Sequence, residues 1–597
     1  MPDKPTASKY RAPARLLVLV AVSGMLSPTG CKKKAEPRRT KAARGGDRRA
    51  ARPAAADRAA EAKDRMDALP FLRAAMRAAR RPGPSSLAAP PGLSGGSRTA
   101  GRKQPVRRRF ADLRVVRGGG IPDMVFQHYG VNPTIDTDEQ HVSTFAVDVD
   151  TASFALAAGI LRRNALPPEA AIRVEEFLNA FDYGYKPPTL QAPPFSVTTD
   201  VLPSPHRKGY HVLRIGLKGR ALGAKKRQPA SLTFVIDTSS TMGRGRRLGL
   251  VKRALRLLVQ RLTKHDTVAI VAYSSAARVV LPPTPGSRKA QILRALAQLT
   301  PAGSANAQAG LQLGFEQAAG SFRQGINRVL LCSDGVIDSG STSAETILRG
   351  LQKHIRRGIT LTAVGVGMGK YNDTLLEQLA RGANGSYHYV DHLSQAQRIF
   401  VEKLTGTLQL VARDVKLQVI FDKRAVSRYR LLGYENRMLR KRDFAKSRVD
   451  GGELGAGQEV TALYEVRLRP TPLATPLGSL RIRYRSPSGT PAKPWHGKLP
   501  SAAARSTFAR AAPAARLAVL VAAFAEKLRR SYWVRNLSYG TLFDLLGKIR
   551  GPLGRRVDVA SLRGLVKRAE KLDRRGDKYA QILPLSRMTF DRVPVLR

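Results

Sequence analysis

From residue 231 onward, short apolar runs alternate with segments of helical periodicity, and this alternation constrains the fold more than any other feature. Residues 232–236 and 329–332 are almost wholly apolar, as expected of strands buried on both faces of a parallel sheet. Between them, residues 248–262 repeat apolar side chains at helical spacing. Repeated strand–helix units predict an α/β fold with a doubly wound, mostly parallel sheet.

Polar side chains directly follow two of the predicted strands. Residues 237–241 read DTSST, and residues 333–335 read SDG. Doubly wound sheets bind ligands beyond the carboxyl ends of their strands, and carboxylate and hydroxyl oxygens suit Mg²⁺, Ca²⁺ or Mn²⁺. The alternative is that these residues only shape turns and cap helices, which Asp, Ser and Thr commonly do.

The ending Asp-x-Ser-x-Thr, the stretch VAIVAYSSAARVVLPPT and the segment RVLLCSDG resemble the A domain of von Willebrand factor, in particular its bacterial envelope-protein branch. GVNPTIDTDEQHVSTFAVDVDTASF upstream and GELGAGQEVTALYEV downstream resemble the same branch. The resemblance runs from about Met124 to the C-terminus. It implies an A domain over residues 229–410, an N-terminal companion domain over 124–228, and a β-rich and helical domain over 411–597. We expect the flanking strands to form a β-sandwich together.

The resemblance also implies a metal-ion-dependent adhesion site, in which a carboxylate of the partner completes the metal shell. It assigns metal binding to Asp237, Ser239, Thr241 and Asp334. Thr241 keeps the hydroxyl of the usual Ser, whereas Ala305 stands where the family has a metal-binding Thr. Because Ala305 has no side-chain oxygen, we predict that Mg²⁺ is bound weakly or not at all.

Three arginines, Arg244, Arg246 and Arg247, follow the first of these loops. Guanidinium groups near the site would repel a dication and would bind carboxylates of an acidic partner. The alternative is that all three are solvated charges at the start of a helix.

The charge balance of the whole chain is strongly basic. Its 597 residues include 103 Lys and Arg against 44 Asp and Glu, a formal net charge of +59. Such an excess favours acidic partners, which include anionic lipid, polysaccharide, nucleic acid and acidic protein surfaces. Nucleic acid is not the expected partner, because the chain has no zinc-finger spacing, RNP-like strand or long basic helix.

The sequence also lacks the motifs of the common hydrolytic sites. Its nine histidines do not form a metalloprotease motif, and its single Gly-x-Ser-x-Gly, at residues 92–96, lies in the Ala/Arg/Pro/Gly-rich segment instead of between a predicted strand and helix. The adjacent Glu175 and Glu176 point different ways on a helix, so we interpret them as solvent-facing and capping charges instead of an acid/base pair. We therefore do not expect an enzyme.

The first thirty residues resemble a lipoprotein signal peptide. A basic stretch precedes an apolar run at residues 16–26, which is too short to span a membrane, and small residues then lead to Cys31. We predict that Cys31 is lipidated and anchors the mature chain; an ordinary secretory signal is the alternative. Residues 31–120 are rich in Ala, Arg, Pro and Gly, which predicts a disordered basic tether.

These features predict a non-enzymatic protein-binding or adhesion module, lipid-anchored in the bacterial envelope and facing the periplasm or the surface. Its partner is expected to be an envelope protein or an acidic ligand. The alternative is a basic structural protein that bridges polyanions without a specific ligand.

Overall fold

The computed structural model describes residues 113–116, 124–189, 191–222, 228–402, 408–446, 449, 451–470, 475–501 and 507–579. The predictions for residues 1–30, for Cys31 and for nearly all of the tether at 31–120 lie outside these ranges. The exception is Leu113–Val116, which forms a strand paired with Met124–Gln127, so the predicted disorder of the tether is wrong at these four residues. Within the described ranges, no helix combines the length and the apolar character needed to span a membrane.

The strands are numbered β1 to β20 in chain order: Leu113–Val116, Met124–Gln127, Ile135–Asp136, Val142–Ala146, Phe195–Pro203, Tyr210–Gly219, Ala230–Asp237, Thr267–Tyr273, Ala277–Pro285, Ile326–Ser333, Thr360–Val366, Tyr371–Asn372, Tyr387–Val390, Leu410–Phe421, Val426–Leu432, Met438–Leu439, Gly452–Gly455, Glu459–Leu468, Gly478–Arg485 and Trp495–Lys498. The α-helices are numbered α1 to α12: Ala152–Arg162, Val174–Asn179, Arg247–Gln260, Lys289–Ala297, Ala307–Gly320, Ala344–Arg356, Asp373–Gly382, Leu393–Gln397, Pro513–Leu528, Tyr539–Gly547, Gly551–Gly554 and Val557–Leu572.

The central domain is built on a six-stranded sheet in the order β13-β11-β10-β7-β8-β9. Neighbouring strands are parallel except for the antiparallel pair β8–β9. The chain fills one side of the sheet through β7, β8 and β9, and then the other side through β10, β11 and β13. The strand order therefore reverses between β7 and β10, and the predicted doubly wound α/β fold is confirmed.

Helices cover both faces of this sheet, which explains why its middle strands are apolar almost throughout. Phe234 and Ile236 of β7 belong to the core beneath α3 and α4. Val235, which points the opposite way, belongs to the core beneath α5, α6 and α7. Every residue of β7, β10 and β11 is consequently buried.

Strands from before and after the central domain combine into two further sheets. One has the order β16-β4-β14-β19-β20, with β17 also paired to β14, and the other has the order β3-β15-β18-β6-β5. In the first sheet β4 pairs with β14, and in the second β6 pairs with β18, so both sheets join the two flanks. Apolar side chains from the two sheets form one core. The central domain is thus inserted between strands of a single β-sandwich.

A helical layer completes the flanking region. Its centre is the apolar helix α9, which packs against α2 and α10, and α12 in turn packs against α10 and α1. Almost every residue of α9 from Ala515 to Leu528 is buried, because neighbouring elements surround it.

Glu175 and Glu176 correct the sequence interpretation, because both are buried in helix α2. Glu176 forms an ion pair with Arg173, and Arg173 also pairs with Asp373 of the central domain. Glu175 accepts a hydrogen bond of 2.9 Å from the backbone N–H of Tyr434, which follows β15 in the sandwich. The two glutamates do point different ways, but protein covers both sides of this short helix.

Candidate functional site at the carboxyl edge of the central sheet

Asp237, the last residue of β7, is buried and held by three donors. Its Oδ1 accepts from the backbone N–H of Ser239 at 2.9 Å. Its Oδ2 accepts from the hydroxyl of Ser333 at 2.8 Å and from the phenol of Tyr273 at 3.3 Å. Burial and the nearby Asp334 raise the pKa of Asp237 to about 6.

The other three residues assigned to the adhesion site lie beside it. The Ser239 Oγ lies 3.0 Å from the Thr241 Oγ1, and the Thr241 hydroxyl hydrogen-bonds to Asp334. Asp334 follows β10, which pairs in parallel with β7, so the two strands deliver Asp237 and Asp334 to the same edge. The structure thus brings Asp237, Ser239, Thr241 and Asp334 together.

The loop that should supply the metal-binding Thr carries Ala305, and its neighbours use their side-chain oxygens elsewhere. The Ser304 Oγ lies 3.0 Å from the Ser275 Oγ. The Asn306 Oδ1 accepts from the backbone N–H of Ala309 at 3.0 Å and so caps helix α5. Each of these two side chains therefore already has a hydrogen-bond partner within the protein, for Ser304 in the turn between β8 and β9 and for Asn306 in the first turn of α5.

Arg247 corrects the prediction that it contacts an acidic partner, and it is not a solvated charge either. Its side chain is buried, and its Nη1 forms an ion pair with the Asp334 Oδ2. Its Nη2 donates to the backbone carbonyl of Met368 at 2.7 Å. Gly245 and Arg246 have left-handed backbone conformations immediately before α3, and they turn the chain so that Arg247 opens the helix at the sheet edge. The Arg247 guanidinium opposes the rise that burial causes in the pKa of Asp334.

Two glycines of the loop after β11 make room for this guanidinium. A Cβ at Gly367 would lie 2.3 Å from the Arg247 Nε, and one at Gly369 would lie 2.9 Å from its Nη2. Both glycines also have φ in the left-handed region, at +82° and +121°. Sequence reasoning did not assign this loop to the site. The signal was present, because β11 adjoins β10 in a parallel sheet and its exit loop must reach the same edge.

These residues do not fit a divalent cation. Asp334 already binds a guanidinium, and Ala305 offers a methyl group in place of an oxygen ligand. Across the described ranges, no three or more His, Cys, Asp or Glu side chains are grouped in a way that could hold a metal ion. Weak or absent Mg²⁺ binding remains a prediction for titration.

Arg244 and Arg246 differ from Arg247 in being exposed at the rim of the site. Ser240 and Ser275 are exposed at the same rim, and the Ser240 backbone N–H donates to the Gly303 carbonyl at 2.9 Å. The rim therefore presents cationic and hydroxyl groups to solvent around a buried ionic centre. Such a surface is suited to binding acidic groups.

Comparison with known proteins agrees with this fold. Residues 231–402 match the family model of the von Willebrand factor type A domain, and residues 121–214 match a further model described as von Willebrand factor. Residues 406–478 match the model described as the C-terminal part of the uncharacterized protein YfbK. The class is therefore that of proteins with a von Willebrand factor type A domain.

Full-length comparison narrows the class to one family. The uncharacterized protein YfbK of Escherichia coli (strain K12) is 33% identical over 464 residues, which are 73% of this chain and 80% of that protein. The chain belongs to the YfbK family of proteins with a von Willebrand factor type A domain. The uncharacterized protein sll0103 of Synechocystis sp. is 28% identical over 188 residues, 32% of this chain and 44% of that protein.

Solved structures are similar at lower identity. A von Willebrand factor type A protein from Catenulispora acidiphila is 17% identical, covers 65% of this chain and 91% of its own, and has a TM-score of 0.39. Proximal thread matrix protein 1 from the mussel byssus, with a zinc-occupied MIDAS motif, is 23% identical with a TM-score of 0.25. That match covers 29% of this chain and 45% of the mussel protein.

Proposed function

We propose that this chain is a non-enzymatic binding module of the bacterial cell envelope, which captures a protein partner at the carboxyl edge of its central sheet. Membership of a family built on an A domain supports an interaction role. The observation that carries the proposal is the convergence of Asp237, Ser239, Thr241 and Asp334 beneath an exposed rim.

The rim indicates what chemistry the partner has. Arg244 and Arg246 are exposed on the segment between β7 and α3, so they reach solvent beside the buried site. Arginine forms bidentate hydrogen bonds with carboxylates, which favours an acidic protein surface as the ligand. The charge of +59 over the whole chain would speed association with such a surface.

Attachment to the envelope is the second part of the proposal. The order of basic, apolar and small residues before Cys31 supports lipidation at that cysteine. A lipid at Cys31 followed by the basic tether of residues 31–120 would hold the folded part near an anionic membrane surface.

The test compares two pairs of charge reversals in the full chain. Arg244→Glu with Arg246→Glu alters the rim, and Arg253→Glu with Arg256→Glu makes the same charge change on exposed positions further along α3. Each protein is used as bait in envelope extracts, and the captured proteins are quantified by mass spectrometry. We expect the rim pair to lose a defined set of acidic proteins that the natural chain and the α3 pair both retain.

The alternative of a polyanion-bridging protein gives a different result. In that case both pairs would weaken capture equally, any polyanion would compete, and binding would fall steeply with salt for all targets. Equal loss in the two pairs, or no loss in the rim pair, would contradict partner binding at the sheet edge.

A further inference from the structure

The buried ionic centre of the site already contains a positive charge. The Arg247 guanidinium pairs with Asp334, donates to the Met368 carbonyl at 2.7 Å, and lies 3.5 Å from the Thr241 carbonyl. Its side chain is only 6% exposed, so water screens this ion pair very little. Asp334 is one of the two carboxylates that the family resemblance assigns to the metal.

A second and independent observation is that the backbone is shaped around this side chain. The loop after β11 has glycine at both positions, Gly367 and Gly369, where a Cβ would collide with the Arg247 side chain. Ala305 adds to this, because it removes a metal ligand from the opposite loop. The start of α3, the loop after β11 and the loop that carries Ala305 therefore all favour a guanidinium at this position. None of these three observations involves the exposed arginines.

We propose that Arg247 is the resident cation of this site: its guanidinium takes the place that the family gives to a divalent metal, and the site stays assembled without one. This inference rests on the proposed function and deepens it, since it makes partner binding independent of metal. A dication and the guanidinium cannot both lie against Asp334, because two positive charges in contact with the same buried carboxylate would repel each other strongly.

Titration of the full chain with Mn²⁺, followed by the electron paramagnetic resonance signal of free Mn²⁺, tests the proposal. Five proteins are compared: the natural chain, Ala305→Thr, Arg247→Met, Arg247→Met with Ala305→Thr, and the control Arg253→Met, at an exposed position further along α3. Methionine keeps much of the length of arginine without its charge. Circular dichroism checks that each variant is folded.

We expect no saturable Mn²⁺ binding below millimolar concentration in the natural chain, Arg253→Met or Ala305→Thr, since all three retain Arg247. The double variant should bind Mn²⁺ at least about tenfold more tightly than the natural chain, a difference of about 1.4 kcal/mol. Magnesium should compete with it, as both ions prefer oxygen ligands.

Two results would overturn the proposal. One is saturable micromolar Mn²⁺ binding by the natural chain, a measurement that needs no variant and decides the matter even if Arg247→Met does not fold. The other is a folded double variant that binds Mn²⁺ no better than the natural chain. Neither of these results is the one that contradicts the proposed function. That function fails if, in the presence of EDTA, the rim variants capture the same proteins as the natural chain.

Discussion

The guanidinium of Arg173 lies 2.7 Å from the carboxylate of Asp373, and this ion pair joins helix α2 to the first residue of helix α7 in the central domain. Both side chains are buried, and the phenol of Tyr387 donates to the same carboxylate at 2.9 Å. Arg173 also pairs with Glu176. A buried charged network therefore links the A domain to its flank, and it is stable only while its partners remain complete.

The first prediction removes one charge from this network. Asp373→Asn leaves Arg173 with an incomplete set of partners and should lower the free energy of unfolding by about 3 kcal/mol. Urea denaturation of the full chain measures this loss. Glu345→Gln breaks the exposed ion pair with Arg349 and is the matched control, with an expected change within about 0.5 kcal/mol. Equal effects of the two substitutions would show that the buried pair has no special role.

The second prediction concerns pH. Burial, with a contribution from Glu435, raises the pKa of Glu175 from 4.5 to about 8, and burial raises that of Glu176 to about 7. Between pH 4.5 and 8 the folded protein thus holds protons that the unfolded chain has lost. The free energy of unfolding should therefore fall as pH rises through this range, by at most about 1.4 kcal/mol per pH unit for each group.

A neutral variant separates Glu175 from the other titrating groups. Glu175→Gln keeps an oxygen that can accept from the Tyr434 N–H, but it cannot ionise. Denaturation between pH 5 and pH 8 should show a shallower decline for this variant than for the natural chain. Glu316→Gln makes the same chemical change on the exposed face of α5 and is the control. A slope unaltered by Glu175→Gln would contradict the assignment.

The third prediction concerns processing at the N-terminus. We expect residues 1–30 to be removed and Cys31 to carry lipid, so that intact-mass measurement of membrane-extracted protein shows a lipidated chain beginning at Cys31. Cys31→Ser should move the protein from the membrane fraction to the soluble fraction or leave it unprocessed. A soluble natural chain with an unmodified Cys31 would rule out the lipoprotein assignment.

The fourth prediction concerns the tether. Its composition cannot bury enough apolar surface to offset the entropy of ordering. Trypsin at low concentration should therefore cut within residues 32–120 and leave a resistant fragment that begins near Met124. Survival of the natural N-terminal region under these conditions would mean that it folds or docks on the remainder of the chain.

Sequence reasoning reached the sheet and the position of the site for a local reason. Strands buried on both faces must be apolar, so residues 232–236 and 329–332 can be recognised as buried strands from the sequence alone. The residues directly after parallel strands must lie at one edge, which brings Asp237 and Asp334 together. The sequence also showed that Ala305 has no side-chain oxygen where the resembling family has a metal-binding Thr.

The environment of charged residues could not be obtained in this way. Glu175, Glu176 and Arg247 were interpreted as solvent-facing or partner-facing, yet all three are buried, and for each the covering surface comes from a distant part of the chain. Arg247 reaches Asp334 across 87 residues of sequence, through a space that two later glycines leave open. Whether a charge meets water or an opposite charge depends on such long-range contacts.

By itself, therefore, the sequence determined the doubly wound sheet and the edge where its site lies, because the periodicity of apolar residues is a local property. Tertiary structure alone decided that a guanidinium lies at the centre of that site, because the burial of a charge depends on segments that only folding brings together.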